Sequence, residues 1–266
     1  MINWAELVAT DFPVPDQLEA ALGELSTMLA AVDPVARDAW AYPTLATWIE
    51  RGVLDDHLTD LGAAMVARFN HPEVQARTFA PLVLASAVRR DAVAGVLTDT
   101  TVLGWRDAFV SWWPAEADIR GWDEQRGWLH AVAHGADLAG ELGASPRLTT
   151  NDRAELLTVV GRRVVAPTDY RYAHMEEDRV AGAITQILAT EALPVAPATG
   201  WLTTVDDLFA TVTPGPLSVP VANTLAVLRA AYVMADRSAL PDRTSVTDAI
   251  AQRLHLAFGG YPLLRQ

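Results

Sequence analysis

His130 and His134, four residues apart, are followed at helical spacing by Asp137 and Glu141, and these are the residue types here best suited to chemistry. On a helix, at about 100° per residue, the four side chains fall in one narrow arc with Gly127 at its edge. Imidazoles at i and i+4 can meet one divalent metal from a single helix, and Asp137 can add a carboxylate. The run is not the H-E-x-x-H of zinc hydrolases. Ala131, Val132 and Ala133 stand between the histidines, so that class's general base is missing. H-x-x-x-H also arises often by chance. The competing reading is a buried polar network in which Arg120 or Arg126 pairs Asp137.

A second constellation is His174, Glu176, Glu177, Asp178 and Arg179. On a helical wheel Glu176 and Glu177 share a side with Val180, Ile184 and Ile187, so an apolar stripe begins with two carboxylates. These acids can approach the histidine seam across a helix–helix interface. That arrangement gives His130, His134 and Glu177 as metal ligands. It gives Arg120, Arg126, Trp128, His130, His134, Asp137, Glu176, Glu177 and Arg179 as a ligand-binding set. A plainer role for acids in a first turn is to complement the helix dipole, a reading that fits Asp178 better than Glu177. Five of the nine tryptophans, Trp105, Trp112, Trp113, Trp122 and Trp128, cluster just before the seam. They can line an organic-ligand pocket or serve as core. No cofactor is called for beyond a divalent metal at the seam.

The elements that must position these residues read as helices. Gln125 to Leu142 holds no proline and is apolar around most of its circumference, which predicts a buried helix with one polar seam; Gly143, Ser145 and Pro146 stop it. Buried His, Asp and Glu cost free energy unless partnered, so the seam must meet something. Upstream, 16–32 is helical by period. Asp33-Pro34 opens a helix to Gly52 with a kink near Pro43. Another spans 54–69, and His71-Pro72 opens the next. DPVAR and HPEVQAR thus begin parallel segments 38 residues apart, a spacing that suits HEAT-like helix pairs. Helices are further expected over 96–113, 152–165, 173–190, 201–212, 221–234 and 245–258. Pro194, Pro197 and Gly200 read as a linker, and alternation never lasts long enough for a strand. The expected fold is all-α, a HEAT-like α-solenoid or α-α superhelix of about five or six helix pairs. It forms a single elongated domain over 1–266, with closing helices over 201–266.

Four segments resemble a bacterial family, the domain of unknown function numbered 2785. They are DPVARDAWAYPTLATWIERG (33–52), ARTFAPLVLA (76–85), EADIRGWDEQRGWLHAVAHGAD (116–137) and HMEEDRVAGAI (174–184). They occur in the family's order over roughly residues 25–190, and the GW-x-H-x-x-x-H-x-x-D run is the specific part. The resemblance implies an all-helical protein and no assigned activity. Asp178 stands where the family pattern has Glu, which keeps the charge.

Composition narrows the function. Net charge is −13 and all 20 basic residues are arginine, which argues against nucleic acid or an anionic membrane as partner. Without lysine there is no Schiff-base chemistry and no P-loop; without cysteine there is no thiolate, disulfide or cysteine metal ligand. No Ser-His-Asp order or dinucleotide fingerprint occurs. Polar residues at Asn3, Glu6 and Asp11 interrupt any leader, no apolar run reaches about 20 residues, and a cytoplasmic location is expected. The first functional expectation is a protein-interaction scaffold. The second is an enzyme or small-ligand protein whose site is the histidine seam.

Overall fold

The computed structural model describes residues 2–190, 193–261 and 263. These residues are mostly α-helical, as expected, and form two compact units: Met1–Trp112 with Asp118–Leu138, and Trp113–Ala117 with Ala139–Gln266. Among the described residues no helix is long and apolar enough to cross a membrane.

The first unit holds α1 (Trp4–Ala9), α2 (Leu18–Leu29), α3 (Tyr42–Glu50), α4 (Leu58–Ala67), α5 (Val74–Ala94) and α6 (Asp99–Trp112). A short hairpin of β1 (Trp122–Asp123) and β2 (Gly127–Trp128) follows, then α7 (Ala131–Ala144), whose residues from Ala139 onward belong to the second unit. The expected disturbance near Pro43 takes the form of a π-helical turn over Val35–Ala41 just before α3. Proline has no N–H to close the ladder and its ring crowds the preceding turn, so the chain widens there. Helix α5 is the unit's centre. It is buried at nearly every position from Val74 to Val88, which is what apolar residues on all sides of a helix dictate. Gly95, at φ +66°, ends it by returning its N–H to the Asp91 carbonyl. Helices α3 and α4 both pack on α5, and α4 meets α6 where Gly62 lies under Trp105. A Cβ at Gly62 would fall inside the indole, so only glycine permits that approach.

The second unit holds α8 (Thr150–Val165), α9 (Glu176–Thr190), α10 (Val195–Thr199), α11 (Leu202–Ala210), α12 (Val219–Arg237) and α13 (Arg243–Ala257). A reciprocal capping box between Thr149 and Asp152 starts α8. Buried Arg153 donates to the carbonyls of Gly143 (2.9 Å) and Ser145 (2.9 Å), closing the C-terminus of α7. Helix α12 packs against α8, α9 and α13. Its buried Asn223 accepts from Tyr172 N–H (3.0 Å) and donates to Tyr170 C=O (3.0 Å), fastening the loop before α9. The segment read as a linker contains α10, because Pro194 precedes the helix and Pro197 falls in its first turn, where no donor is needed.

Two expectations about the central segment are corrected. The helix begins at Ala131 rather than Gln125, and residues 122–128 form an antiparallel hairpin pairing Trp122 with Trp128 and Asp123 with Gly127. The cause is local. The Asp123 carboxylate accepts the N–H groups of Gln125 and Arg126, both at 3.0 Å, which draws DEQR into a turn. Gly127 then takes φ +68° in close contact with Pro34, a position where a Cβ would lie 2.8 Å from the proline ring.

Candidate functional site

The hairpin continues into α7 through two backbone bonds, Leu129 N–H to Gly121 (2.9 Å) and His130 N–H to Arg120 (3.1 Å). His130 is therefore not a helical residue. It adopts φ +51°, an uncommon conformation for a side chain larger than glycine, and its carbonyl accepts the His134 N–H (2.8 Å) as the helix begins. The chain turns from strand to helix on this one residue.

From here an unbroken line of rings runs inward from the surface. Trp122 and Trp128, 41% and 38% exposed, meet edge to face with centroids 4.7 Å apart. Trp128 lies 4.4 Å from the His130 ring, His130 is 5.5 Å from His134, and His134 meets the edge of Phe79 at 4.9 Å. Both histidines are buried, at 8% and 6%. The line ends at Arg37, fully buried, with its guanidinium carbon 4.7 Å from the Phe79 centroid.

Arg37 holds the hairpin from beneath. It donates to the carbonyls of Arg126 (2.5 Å), Trp128 (3.1 Å) and Ala31 (3.0 Å), and its Nε reaches Asp38 (2.9 Å). Burial pushes the Asp38 carboxyl up from its ordinary range, opposed by the Arg37 charge beside it. On the outer side Arg120 is gripped by two carboxylates, Asp118 (2.7 and 2.8 Å) and Asp123 (2.6 Å). Asp118 is held below the usual carboxylate range by those Arg120 hydrogen bonds. Asp123 is held low chiefly by the backbone N–H of Gln125. Arg120 is thus committed to Asp118 and Asp123.

The structure brings Arg120, Arg126, Trp128, His130, His134 and Asp137 into the first unit, with Asp137 half-buried one turn beyond His134. Glu176, Glu177 and Arg179 belong to the second unit. There the buried Glu176 carboxylate accepts from Tyr170 Oη (3.0 Å), Ala173 N–H (3.1 Å) and His174 N–H (2.8 Å), closing the loop that leads into α9. Glu177 is half-buried, and its Oε2 has no hydrogen-bond partner among the described residues. Among those residues no group of three or more His, Asp or Glu side chains is placed to hold a metal ion. Arg37 and Phe79, both inside the quoted segments, were not read as site residues. The available signal is the arginine that each proline-turn segment carries, Arg37 in DPVAR and Arg77 in HPEVQAR.

A family model described as "Protein of unknown function (DUF2785)" matches residues 65–233, more than half of the chain. The match takes in three of the four quoted segments, beginning after 33–52 and running on past residue 190. No curated protein and no solved structure matches.

Proposed function

The chain belongs to that family of proteins of unknown function, and we propose that this member acts by recognition rather than catalysis, gripping a basic protein segment with the hairpin of residues 120–130. The exposed pair Trp122 and Trp128, held edge to face on a hairpin anchored by Arg37, carries this reading. A two-stranded hairpin this small is not stable alone in water. Arg37 below and Asp118–Arg120–Asp123 above keep its tryptophans preorganised. Rigid aromatic anchors lose little entropy on binding and dominate interface energetics. An indole face attracts Lys or Arg by about 0.5–2 kcal/mol, and a net charge of −13 draws basic partners by long-range attraction. The same charge speaks against nucleic acid or an anionic membrane.

The scaffold form of this reading rests on the first unit's helix pairs. Helix α2 pairs with α3 and α4 with α5, while α3 lies on α5, so the second helices of successive pairs are neighbours. HEAT-like arrays stack in that way, and we read the chain as such an array, working in the cytoplasm.

A second reading, a small-ligand or metal-assisted site at the histidines, is favoured by the left-handed backbone of His130, since such strain concentrates at functional sites. A divalent ion held by His130 and His134 would complete its shell with water or ligand oxygens.

The test uses fluorescence anisotropy with labelled Arg/Lys-rich peptides and their charge-reversed counterparts. Wild type is expected to bind the basic set in a salt-sensitive way, and Trp122→Ala/Trp128→Ala to bind at least tenfold more weakly with its helical far-ultraviolet spectrum retained. Equal binding by the double variant would sink the proposal. A rise in melting temperature on adding zinc, lost in His134→Ala, would move the conclusion to the second reading.

A further inference from the structure

Helices α11, α12 and α13, all in the second unit, line an open cavity of about 910 Å³. This is within the range of about 300–1,000 Å³ that small-molecule sites occupy. Its walls include Phe209, Leu217, Val221, Leu225, Leu256 and Phe258, of which Leu217, Leu256 and Phe258 are well exposed to solvent. Such a concentration of exposed large apolar side chains is costly unless something covers it.

The cationic groups say what covers it. Arg253 is neutralised by a two-pronged pair with Asp206 (2.7 and 3.0 Å). Arg229 has no carboxylate partner among the described residues. Its Nε donates to Tyr261 Oη (2.7 Å), which orients the guanidinium, and among the described residues its terminal amino groups have no acceptor. Val221, Leu225 and Arg229 follow at four-residue spacing along one face of α12, so the lining runs apolar, apolar, cationic. From Val221 to Arg229 that stripe rises about 12 Å, which is roughly the length of a ten-carbon chain. Arg229 and Tyr261 also line a smaller adjoining cavity of about 230 Å³.

We infer that this cavity binds a free single-chain amphiphile with a carboxylate head, the tail lying along Val221 and Leu225 and the head on Arg229. The walls supply the hydrophobic drive, and the oriented guanidinium supplies a charge-assisted hydrogen bond to one end of the chain. An uncharged chain of the same length satisfies the walls alone. The site is separate from the tryptophan hairpin, and its failure would leave the recognition proposal intact.

The experiment is calorimetric titration of the full chain with octanoate, decanoate and 1-decanol, each below its aggregation limit. Decanoate is expected to bind about tenfold tighter than octanoate, following the two extra buried methylenes. Arg229→Gln is expected to weaken decanoate about tenfold and leave decanol unchanged. Ala210→Trp, at an exposed wall position, is expected to abolish binding of both without changing the melting temperature. Absence of decanoate binding at millimolar concentration would overturn the inference. So would equal affinity for decanoate in wild type and Arg229→Gln. Sedimentation as a dimer that Ala210→Trp dissociates would overturn it in favour of a second copy covering the groove.

Discussion

The Nδ1 of His134 lies 2.9 Å from the main-chain carbonyl oxygen of Thr78, which joins α7 to α5 inside the first unit. A carbonyl only accepts, so Nδ1 carries the proton and the ring's tautomer and orientation are set by the fold. A carbonyl oxygen has two lone pairs, so Thr78 can accept this side-chain donor beside its own helical one.

That bond separates two conservative replacements. His134→Ala is expected to cost about 1–3 kcal/mol by removing a buried hydrogen bond to Thr78 and leaving the space of the ring unfilled. His134→Asn places an amide N–H near the position of Nδ1 and should recover part of the loss, whereas His134→Gln, whose amide reaches out toward Nε2, should not. Urea denaturation of the three variants is the measurement; rescue by Gln equal to that by Asn would contradict the assignment.

Arg37 is expected to matter more to the hairpin than the hairpin's own residues. Arg37→Met strands the carbonyls of Ala31, Arg126 and Trp128 and leaves Asp38 without its cation, with an expected cost of about 3–5 kcal/mol. Arg37→Lys should restore little, because an ammonium cannot span a fork of acceptors. Near-ultraviolet circular dichroism should report loss of the Trp122–Trp128 pair in both variants. A native aromatic spectrum in Arg37→Lys would show that charge alone suffices.

Acid should loosen the outer side of the hairpin. Asp118 and Asp123 are held below the usual carboxylate range, so the stability they contribute is present above about pH 4, the ordinary aspartate value, and is lost as pH falls through their folded values. Arg120 is partly exposed, so solvent and salt screen the pair and the contribution is no more than about 1 kcal/mol. Asp118→Asn should flatten the acid limb of a stability–pH curve, and 0.5 M salt should flatten wild type in the same way. An acid limb insensitive to both would place the titrating groups elsewhere.

Base should act on the second unit through Tyr172. Burial pushes its hydroxyl up to about 12, against an ordinary value of 10.0. The neutral phenol is therefore preferred in the fold. Its contribution is complete below pH 10 and declines as pH rises from there through 12. Tyr172→Phe should lose that part of the alkaline decline. A wild-type decline kept in full by the variant would show that Tyr172 is not its source.

Read alone, the sequence determined the helical class and the family. Long proline-free runs with apolar residues three and four apart admit only helices, and α8 and α13 begin and end within about two residues of the expected positions. It also singled out residues 120–142 as the stretch where His, Asp, Arg and Trp gather. Periodicity carried the helix six residues too far toward the N-terminus. The residues of DEQRGW fit a helical wheel, and what defeats that pattern is an Asp123 side chain bonding its own turn and a Gly127 fitted against Pro34 from 93 positions away. No count along the chain reveals that Arg37 sits beneath those tryptophans, that Asp118 and Asp123 claim Arg120, or that His134 finds the carbonyl of Thr78. Hydrogen-bond partners of buried groups are chosen by which donors and acceptors packing brings within about 3 Å, and that is a property of the folded chain in three dimensions.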